Sequence, residues 1–198
     1  MDSISPLLFG FLGSLAAGLM TSAGAAPVLF GRPPSRAFRD MSLGFAAGVM
    51  LAASFFSLIV PALDAAGTRY GEGAIPAGIV VVAILLGMGA VALMNEMLPH
   101  EHFKTGRLLG EGYSKRHAWS IATLTGMVEP VGGLLGAGIM TVSQPLLPWG
   151  LAFAAGAMLY VISHEIIPET HRAGNQNKAT AGLAVGLAIM LFLDVTLG

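Results

Sequence analysis

The feature that most constrains this 198-residue chain is a series of long apolar segments with almost no charge. A helix needs about 20 apolar residues to cross the hydrocarbon core of a bilayer. The sequence predicts six such spans, at about 6–30, 41–64, 75–98, 118–141, 145–169 and 179–197. These spans fill nearly the whole chain. We therefore expect an all-α polytopic membrane protein that forms a single transmembrane domain, residues 1–198.

The composition excludes several other classes of protein. Only 11% of the residues are charged and 55% are hydrophobic, whereas about 25% of the residues of an ordinary soluble domain are charged. The formal net charge of −1 gives no basic excess for nucleic-acid binding. The absence of cysteine from the sequence excludes disulfides, thiolate metal sites and cysteine nucleophiles. Membrane lipid is therefore the expected surrounding of this chain.

The first span has one feature of a signal peptide, because Ala23-Gly24-Ala25 resembles a small-x-small cleavage site. However, the preceding residues contain no lysine or arginine, and the apolar run is longer than the hydrophobic region of a signal peptide. We therefore expect the first span to be a true membrane helix.

The basic residues predict the orientation of the chain. Nine of the ten lie in the connections after spans one, three and five, namely Arg32, Arg36, Arg39, Lys104, Arg107, Lys115, Arg116, Arg172 and Lys178. Only Arg69 lies on the other side. By the positive-inside rule these connections are cytoplasmic, and both termini are outside.

Two segments of the sequence repeat each other. Residues 45–51 (FAAGVML) recur as residues 153–159 (FAAGAML), with six of seven positions identical. The copies are three spans apart and so cross the membrane in opposite directions. This pattern predicts an inverted repeat of three plus three helices, which is typical of secondary transporters with a midplane site. Repeat one covers about 6–98, a cytoplasmic loop 99–117, and repeat two about 118–198.

Glu129 lies in the middle of the fourth span. Carboxylates within the hydrocarbon are costly, so they indicate function by default. Pro130 has no N–H, and the carbonyl of Gly126 therefore loses its helical partner. A carboxylate beside a freed carbonyl is a candidate cation site. The alternative is a protonated glutamic acid that is hydrogen-bonded to the backbone.

Residues 163–171 (SHEIIPETH) contain the densest group of metal-ligating residues. Glu165 and Glu169 are four residues apart and share a helix face, and Pro168 frees the carbonyl of His164. Imidazole and carboxylate together suit zinc, iron, nickel or manganese. We expect His164 and Glu165 to be metal ligands. Glu169 and His171 also fit a solvated helix end.

Other polar residues are weaker candidates. Met50, the repeat counterpart of Met158, is either a ligand or an ordinary packing residue. Asp64 and Asp194 lie at span ends, where solvation is the default. The His100-Glu101-His102 stretch is either a solvated loop or a weak metal-acceptor site. The candidate pathway or exit residues are Ser57, Asp64, His100, Glu101, His102, Glu169, His171 and Asp194.

Three segments, residues 44–54, 127–130 and 163–172, closely resemble the bacterial ZIP (Zrt/Irt-like) metal transporters, and the match covers nearly the whole chain. The resemblance implies uptake of Zn²⁺ and related divalent metal ions, with Cd²⁺, Fe²⁺, Mn²⁺ and Ni²⁺ as alternatives. It also implies a homodimer in the cytoplasmic (inner) membrane of a prokaryote. It assigns the metal site and its pathway to Met50, Glu129, His164 and Glu165. We expect no organic cofactor.

The chain departs from this family in one respect. Family members have at least eight spans, arranged three, two, three, and the middle pair carries motifs of the type His-Asn-x-Pro-Glu-Gly that supply most metal ligands. No such motif occurs here. About two helices are therefore missing near Arg107 and Leu108. Loss of an even number of spans leaves the orientation unchanged.

Three functions remain open on this basis. The first is divalent-metal transport by alternating access of the two repeats. The second is intramembrane metalloproteolysis, because His164-Glu165 begins like H-E-x-x-H, although Pro168 stands where the second histidine is required. The third is a non-transporting membrane or assembly protein without the central site.

Overall fold

The computed structural model describes residues 6–26, 35–97, 115–171 and 174–197, and these contain helices and no strand. In chain order we number the helices α1 to α6. The first four are α1 (Pro6–Ala25), α2 (Arg36–Tyr70), α3 (Ala74–Met97) and α4 (Lys115–Val142). A short 3₁₀ turn, Gln144–Leu146, leads into α5, which consists of Leu147–Val161, Ile162–Ile166 and Ile167–His171; α6 is Gln176–Leu197. One helix thus lies at each predicted span.

Four of these helices have the length and apolar composition to cross a membrane: Arg36–Tyr70, Ala74–Met97, Gln144–Thr170 and Gln176–Thr196. In α1 the corresponding apolar stretch, Gly10–Ala25, is shorter. Large apolar side chains such as Leu85, Leu86 and Phe192 are exposed, as expected where lipid is the solvent. The all-α polytopic membrane fold is confirmed, and the count of six crossings stays a prediction.

Helix α2 begins earlier than the apolar pattern predicted. The backbone N–H of Phe38 donates to the side chain of Ser35, which is the N-cap. Serine in this position satisfies an otherwise unpaired N–H of the first turn. The helix can therefore start in a polar stretch, five residues before the apolar run.

Both α2 and α5 contain a π-helical segment, Ala53–Ile59 and Ile162–Ile166 respectively. Each segment ends just before a proline, Pro61 or Pro168. At the end of each segment a backbone N–H bonds five residues back, from Val60 to Phe55 in α2 and from Ile167 to Ile162 in α5. Proline removes an α-helical hydrogen bond, and the wider turn occurs where that bond is lost. Such π segments are frequent at functional sites.

The helices form two compact units. In the first, α1 packs antiparallel to α4, since Gly10 lies near Gly133 and Gly18 near Gly126. A Cβ atom on Gly18 would collide with the carbonyl oxygen of Gly126. The indole N–H of Trp119 donates to the carbonyl of Ser22 at 3.3 Å. Small residues thus allow close backbone approach, as is usual between membrane helices.

The second unit consists of α2, α3, α5 and α6, and glycines also make its closest contacts. In one pair of helices, a Cβ on Gly48 of α2 would collide with the carbonyl oxygen of Leu183 in α6. In the other pair, a Cβ on Gly156 of α5 would collide with the carbonyl oxygen of Ile84 in α3. The same contact thus recurs in α2–α6 and in α5–α3, at the counterpart glycines of the repeated sequence. The inverted repeat itself stays a prediction that these contacts support.

The buried core of the second unit is built of small side chains. Ala62, Ala66, Val80, Ala83 and Ala152 form one cluster. At the start of α2 and α6, buried Asp40 accepts a hydrogen bond of 2.8 Å from the side-chain amide of Asn175. The last turn of α3 and the π segments of α2 and α5 belong to this unit, and they carry most of the candidate site residues.

Candidate functional site

His164 and Glu165 lie in the π segment of α5, and both side chains are exposed. Glu169 follows one turn later and is half-buried. The backbone of His171 ends α5, but its side chain is outside the described part of the chain. The π segment therefore presents an imidazole and a carboxylate side by side in sequence, where Pro168 has removed a helical hydrogen bond.

Two contacts hold the imidazole of His164. The ring stacks on that of Tyr160, with centroids 5.0 Å apart and planes at 20°. At its Nε2 edge, the amide Nδ2 of Asn95 in α3 lies 3.4 Å away. Neither Tyr160 nor Asn95 was a sequence candidate. The ring is therefore positioned by two neighbours, one of them on another helix.

Ser57 and Asp194 form a second polar pair. The Ser57 hydroxyl, in the π segment of α2, donates a hydrogen bond of 2.7 Å to the carboxylate of Asp194 in α6. Asp194 is half-buried, so its place at a span end does not leave it fully solvated. The carboxylate instead has a hydroxyl partner from a neighbouring helix.

These two pairs occupy corresponding places in α2–α6 and α5–α3. Ser57 corresponds to Glu165 by the offset that relates the repeated sequences. In α6 and α3, Leu183 and Ile84 are counterparts, because the carbonyl of each faces one of the two counterpart glycines. Counted from these two residues, Asp194 of α6 is the counterpart of Asn95 of α3. No sequence pattern identified Asn95, because its correspondence with Asp194 follows from the packing of the helices. That packing places an amide next to His164.

The methionine candidate lies next to a buried hydroxyl. Ser54 is fully buried. Its hydroxyl donates to the carbonyl oxygen of Met50 at 2.8 Å and lies 3.2 Å from the sulfur of Met158. Met50 is half-buried. The two counterpart methionines of α2 and α5 are thus both in contact with Ser54.

The remaining candidates are less defined. Asp64 is exposed on α2. Glu129 lies on α4, but its side chain is outside the part of the chain that the structure describes, and so are His100, Glu101 and His102. Among the described side chains, no three histidines, aspartates or glutamates gather in a way that could hold a metal ion.

Comparisons with known proteins point to one family. Residues 88–194 match the family model described as ZIP zinc transporter. The chain is 34% identical to the zinc transporter GufA of Myxococcus xanthus, with 96% of this chain and 99% of that protein covered. It is 35% identical to the zinc transporter ZIPB of Bordetella bronchiseptica, with 96% and 82% covered. It is 27% identical to the zinc transporter ZIP11 of Xenopus tropicalis, with 100% of both chains covered.

These alignments are longer than the chain itself. The alignment with GufA extends over 251 residues, and this chain has 198. The relative therefore contains residues that have no counterpart in this chain. The family model covers more than half of the chain, and two relatives above 30% identity match nearly all of it. The chain therefore belongs to the ZIP family of zinc transporters.

Proposed function

We propose that this chain carries Zn²⁺ and related divalent metal ions across the cytoplasmic membrane toward the cytoplasm. The observation that carries the proposal is the nearly full-length similarity to proteins named zinc transporters. The donor types agree with it, because imidazole and carboxylate are suitable ligands for zinc. Cd²⁺, Fe²⁺, Mn²⁺ and Ni²⁺ are further candidate substrates for the same reason. We propose no enzymatic step and no organic cofactor, since the ion exchanges ligands without chemical change.

We assign the metal pathway to Met50, His164 and Glu165, with Glu129 as a fourth ligand proposed from the sequence. Ser57, Asp64 and Asp194 are the proposed pathway residues toward the outside. The proposed cytoplasmic exit residues are His100, Glu101, His102, Glu169 and His171. This direction follows from the positive-inside rule, which places the end of α5 and the connections after α3 and α5 in the cytoplasm.

The proposed mechanism is alternating access of the two inverted repeats, in a homodimer whose chain termini are outside. Secondary transporters with inverted repeats bind their substrate near the midplane and expose it to each side in turn. The His164-Glu165 pair in the π segment of α5 suits this role, because both side chains are exposed and an ion can reach them. A pair of donors also binds an ion less tightly than a closed four-ligand site, which favours release.

One observation favours a second candidate, a non-transporting membrane protein. Alignments over 251 and 252 residues leave part of each relative without a counterpart in this chain. If that part supplied essential ligands, the remaining helices would bind metal weakly or not at all. A metalloprotease is not favoured, because α5 has Pro168 at the position of the second zinc histidine.

Zinc uptake into proteoliposomes tests the proposal. We would compare the wild-type chain with Glu165→Ala, Glu129→Ala and, as a matched control, Glu72→Ala in the exposed α2–α3 turn. We expect uptake by the wild type and the control, and a loss of about tenfold or more in the two ligand variants. No uptake by well-folded wild-type protein would overturn the proposal and support the non-transporting alternative.

A further inference from the structure

The contact between Asn95 and His164 joins the side-chain amide of α3 to one nitrogen of the ring. The amide of Asn95 lies 3.4 Å from Nε2 of His164, and the direction of the hydrogen bond depends on the tautomer of the ring. A neutral ring with its proton on Nδ1 accepts from the amide N–H at Nε2, whereas a ring with its proton on Nε2 donates to the amide oxygen. Only the first arrangement leaves a free electron pair on Nε2.

The second contact fixes the plane of the same ring. Tyr160 precedes His164 by one turn and stacks on it at 5.0 Å. The stacking keeps the ring in one plane but would survive a half-turn of the ring, so the contact with Asn95 is what defines the edge that faces α3. The histidine is exposed, so an ion from solvent can reach it.

We propose that Asn95 is a positioning residue, which keeps His164 in the tautomer with its electron pair on Nε2, and that an incoming metal ion takes this pair by displacing the Asn95 amide. This inference rests on the proposed transport of divalent metal ions. A metal ion binds the unprotonated nitrogen of a neutral imidazole. The ion thus replaces one weak hydrogen bond, and the ring needs no proton rearrangement before it binds.

The counterpart position shows why the amide matters. Asp194 of α6 occupies the corresponding place in the other helix pair, and its carboxylate accepts a hydrogen bond from Ser57. A carboxylate at position 95 would have to accept as well, and it would select the ring with its proton on Nε2. That tautomer has no electron pair at the edge facing α3. An amide and a carboxylate at position 95 thus predict opposite proton positions on His164.

Nitrogen-15 NMR of histidine-labelled full-length protein, without metal and at alkaline pH where histidines are neutral, tests the positioning role. The chain has five histidines, and the signal of His164 is identified by its disappearance in His164→Gln. We expect the Nδ1–H tautomer in the wild type, its loss in Asn95→Leu and the Nε2–H tautomer in Asn95→Asp. The matched control is Asn177→Asp, at an exposed asparagine of α6, which should leave the signal unchanged.

A purely structural role for Asn95 would not reverse the tautomer between the wild type and Asn95→Asp. An Nε2–H ring in the wild type, or the same tautomer in wild type and Asn95→Asp, would overturn the proposal. Asn95→Asp also covers the case in which Asn95→Leu does not fold, because it keeps the size and polarity of the side chain.

Zinc uptake then tests the link to transport. We expect Asn95→Leu to raise the KM for Zn²⁺ several-fold with a smaller change in kcat, because the ring must change tautomer before it binds. An unchanged KM despite a changed tautomer would overturn the link. The two proposals fail separately: absence of uptake by the wild type contradicts the transport function, whereas the NMR result decides the role of Asn95 on its own.

Discussion

The hydroxyl of Ser57 lies 2.7 Å from a carboxylate oxygen of Asp194, 137 positions later in the chain. This bond joins the π segment of α2 to the last turns of α6. In the α5–α3 pair, the counterpart positions carry Glu165 and Asn95. The carboxylate is thus on α6 in one pair of helices and on α5 in the other.

Asp194→Asn is expected to keep the fold and reduce transport. The amide retains an oxygen that can accept the hydrogen bond of Ser57, but it removes the negative charge that we place on the metal pathway. Initial rates of zinc uptake should fall several-fold, with unchanged melting temperature in detergent. Full uptake in this variant would remove Asp194 from the proposed pathway. Ser57→Ala, which keeps the charge, should have the smaller effect on uptake.

Gly48→Ala and Gly156→Ala are expected to destabilise the four-helix unit. The added Cβ would collide with backbone carbonyls, of Leu183 and Ile84 respectively, which cannot rotate away as a side chain can. Overpacking of this kind costs about 1–3 kcal/mol. Thermal unfolding in detergent measures the effect. The matched control is Gly89→Ala, because no atom lies within 4 Å of its Cβ position; equal destabilisation there would contradict the packing argument.

Asn175→Ala is expected to destabilise the start of α2 and α6. It leaves the carboxylate of Asp40, 6% exposed, without the amide that donates to it at 2.8 Å. An unsatisfied buried polar group costs about 1–3 kcal/mol. A double-mutant cycle with Asp40→Leu gives the coupling, and the double variant should be more stable than the sum of the single losses predicts. Strictly additive losses would show that the two side chains do not interact.

Thr123→Val is expected to leave stability unchanged or to raise it. The hydroxyl of Thr123 is the buried side-chain oxygen without a hydrogen-bond partner in the described part of the chain, and valine has nearly the same shape without the polar atom. The contrasting variant is Thr170→Val, since buried Thr170 donates to the carbonyl of Ile167 at 2.8 Å. That change should cost about 0.5–1.5 kcal/mol. Thermal unfolding with the same sign for both variants would contradict the prediction.

Much of the fold was predictable because it depends on local sequence. The apolar runs located one helix each, and Pro168 predicted where a hydrogen bond would be lost, in agreement with the π segment before it. A second π segment precedes Pro61. The early start of α2 was missed, because the Ser35 cap extends the helix into polar sequence. The family was also predictable, because the motif at residues 163–172 is specific.

The candidate site was predictable only in part. The sequence identified His164 and Glu165 from their chemistry, and it gave Ser57 as a candidate pathway residue. It did not identify Asn95 or Tyr160 as neighbours of His164, since an asparagine or a tyrosine in a helix has no distinctive pattern. Asp194 was expected at a solvated span end, whereas its partner Ser57 comes from a helix far away in sequence.

The sequence by itself determined the lipid environment, the helices and the ligand-bearing segment of α5, because apolar length, proline and donor chemistry act over one or two turns. Only the tertiary structure decided that α2 packs on α6 and α3 on α5, through glycines whose contact partners lie far away in the chain. That packing brings Asn95 to His164 and Ser57 to Asp194. The physical reason is that a hydrogen bond between helices needs both backbones at a fixed distance, and close packing of small residues sets that distance.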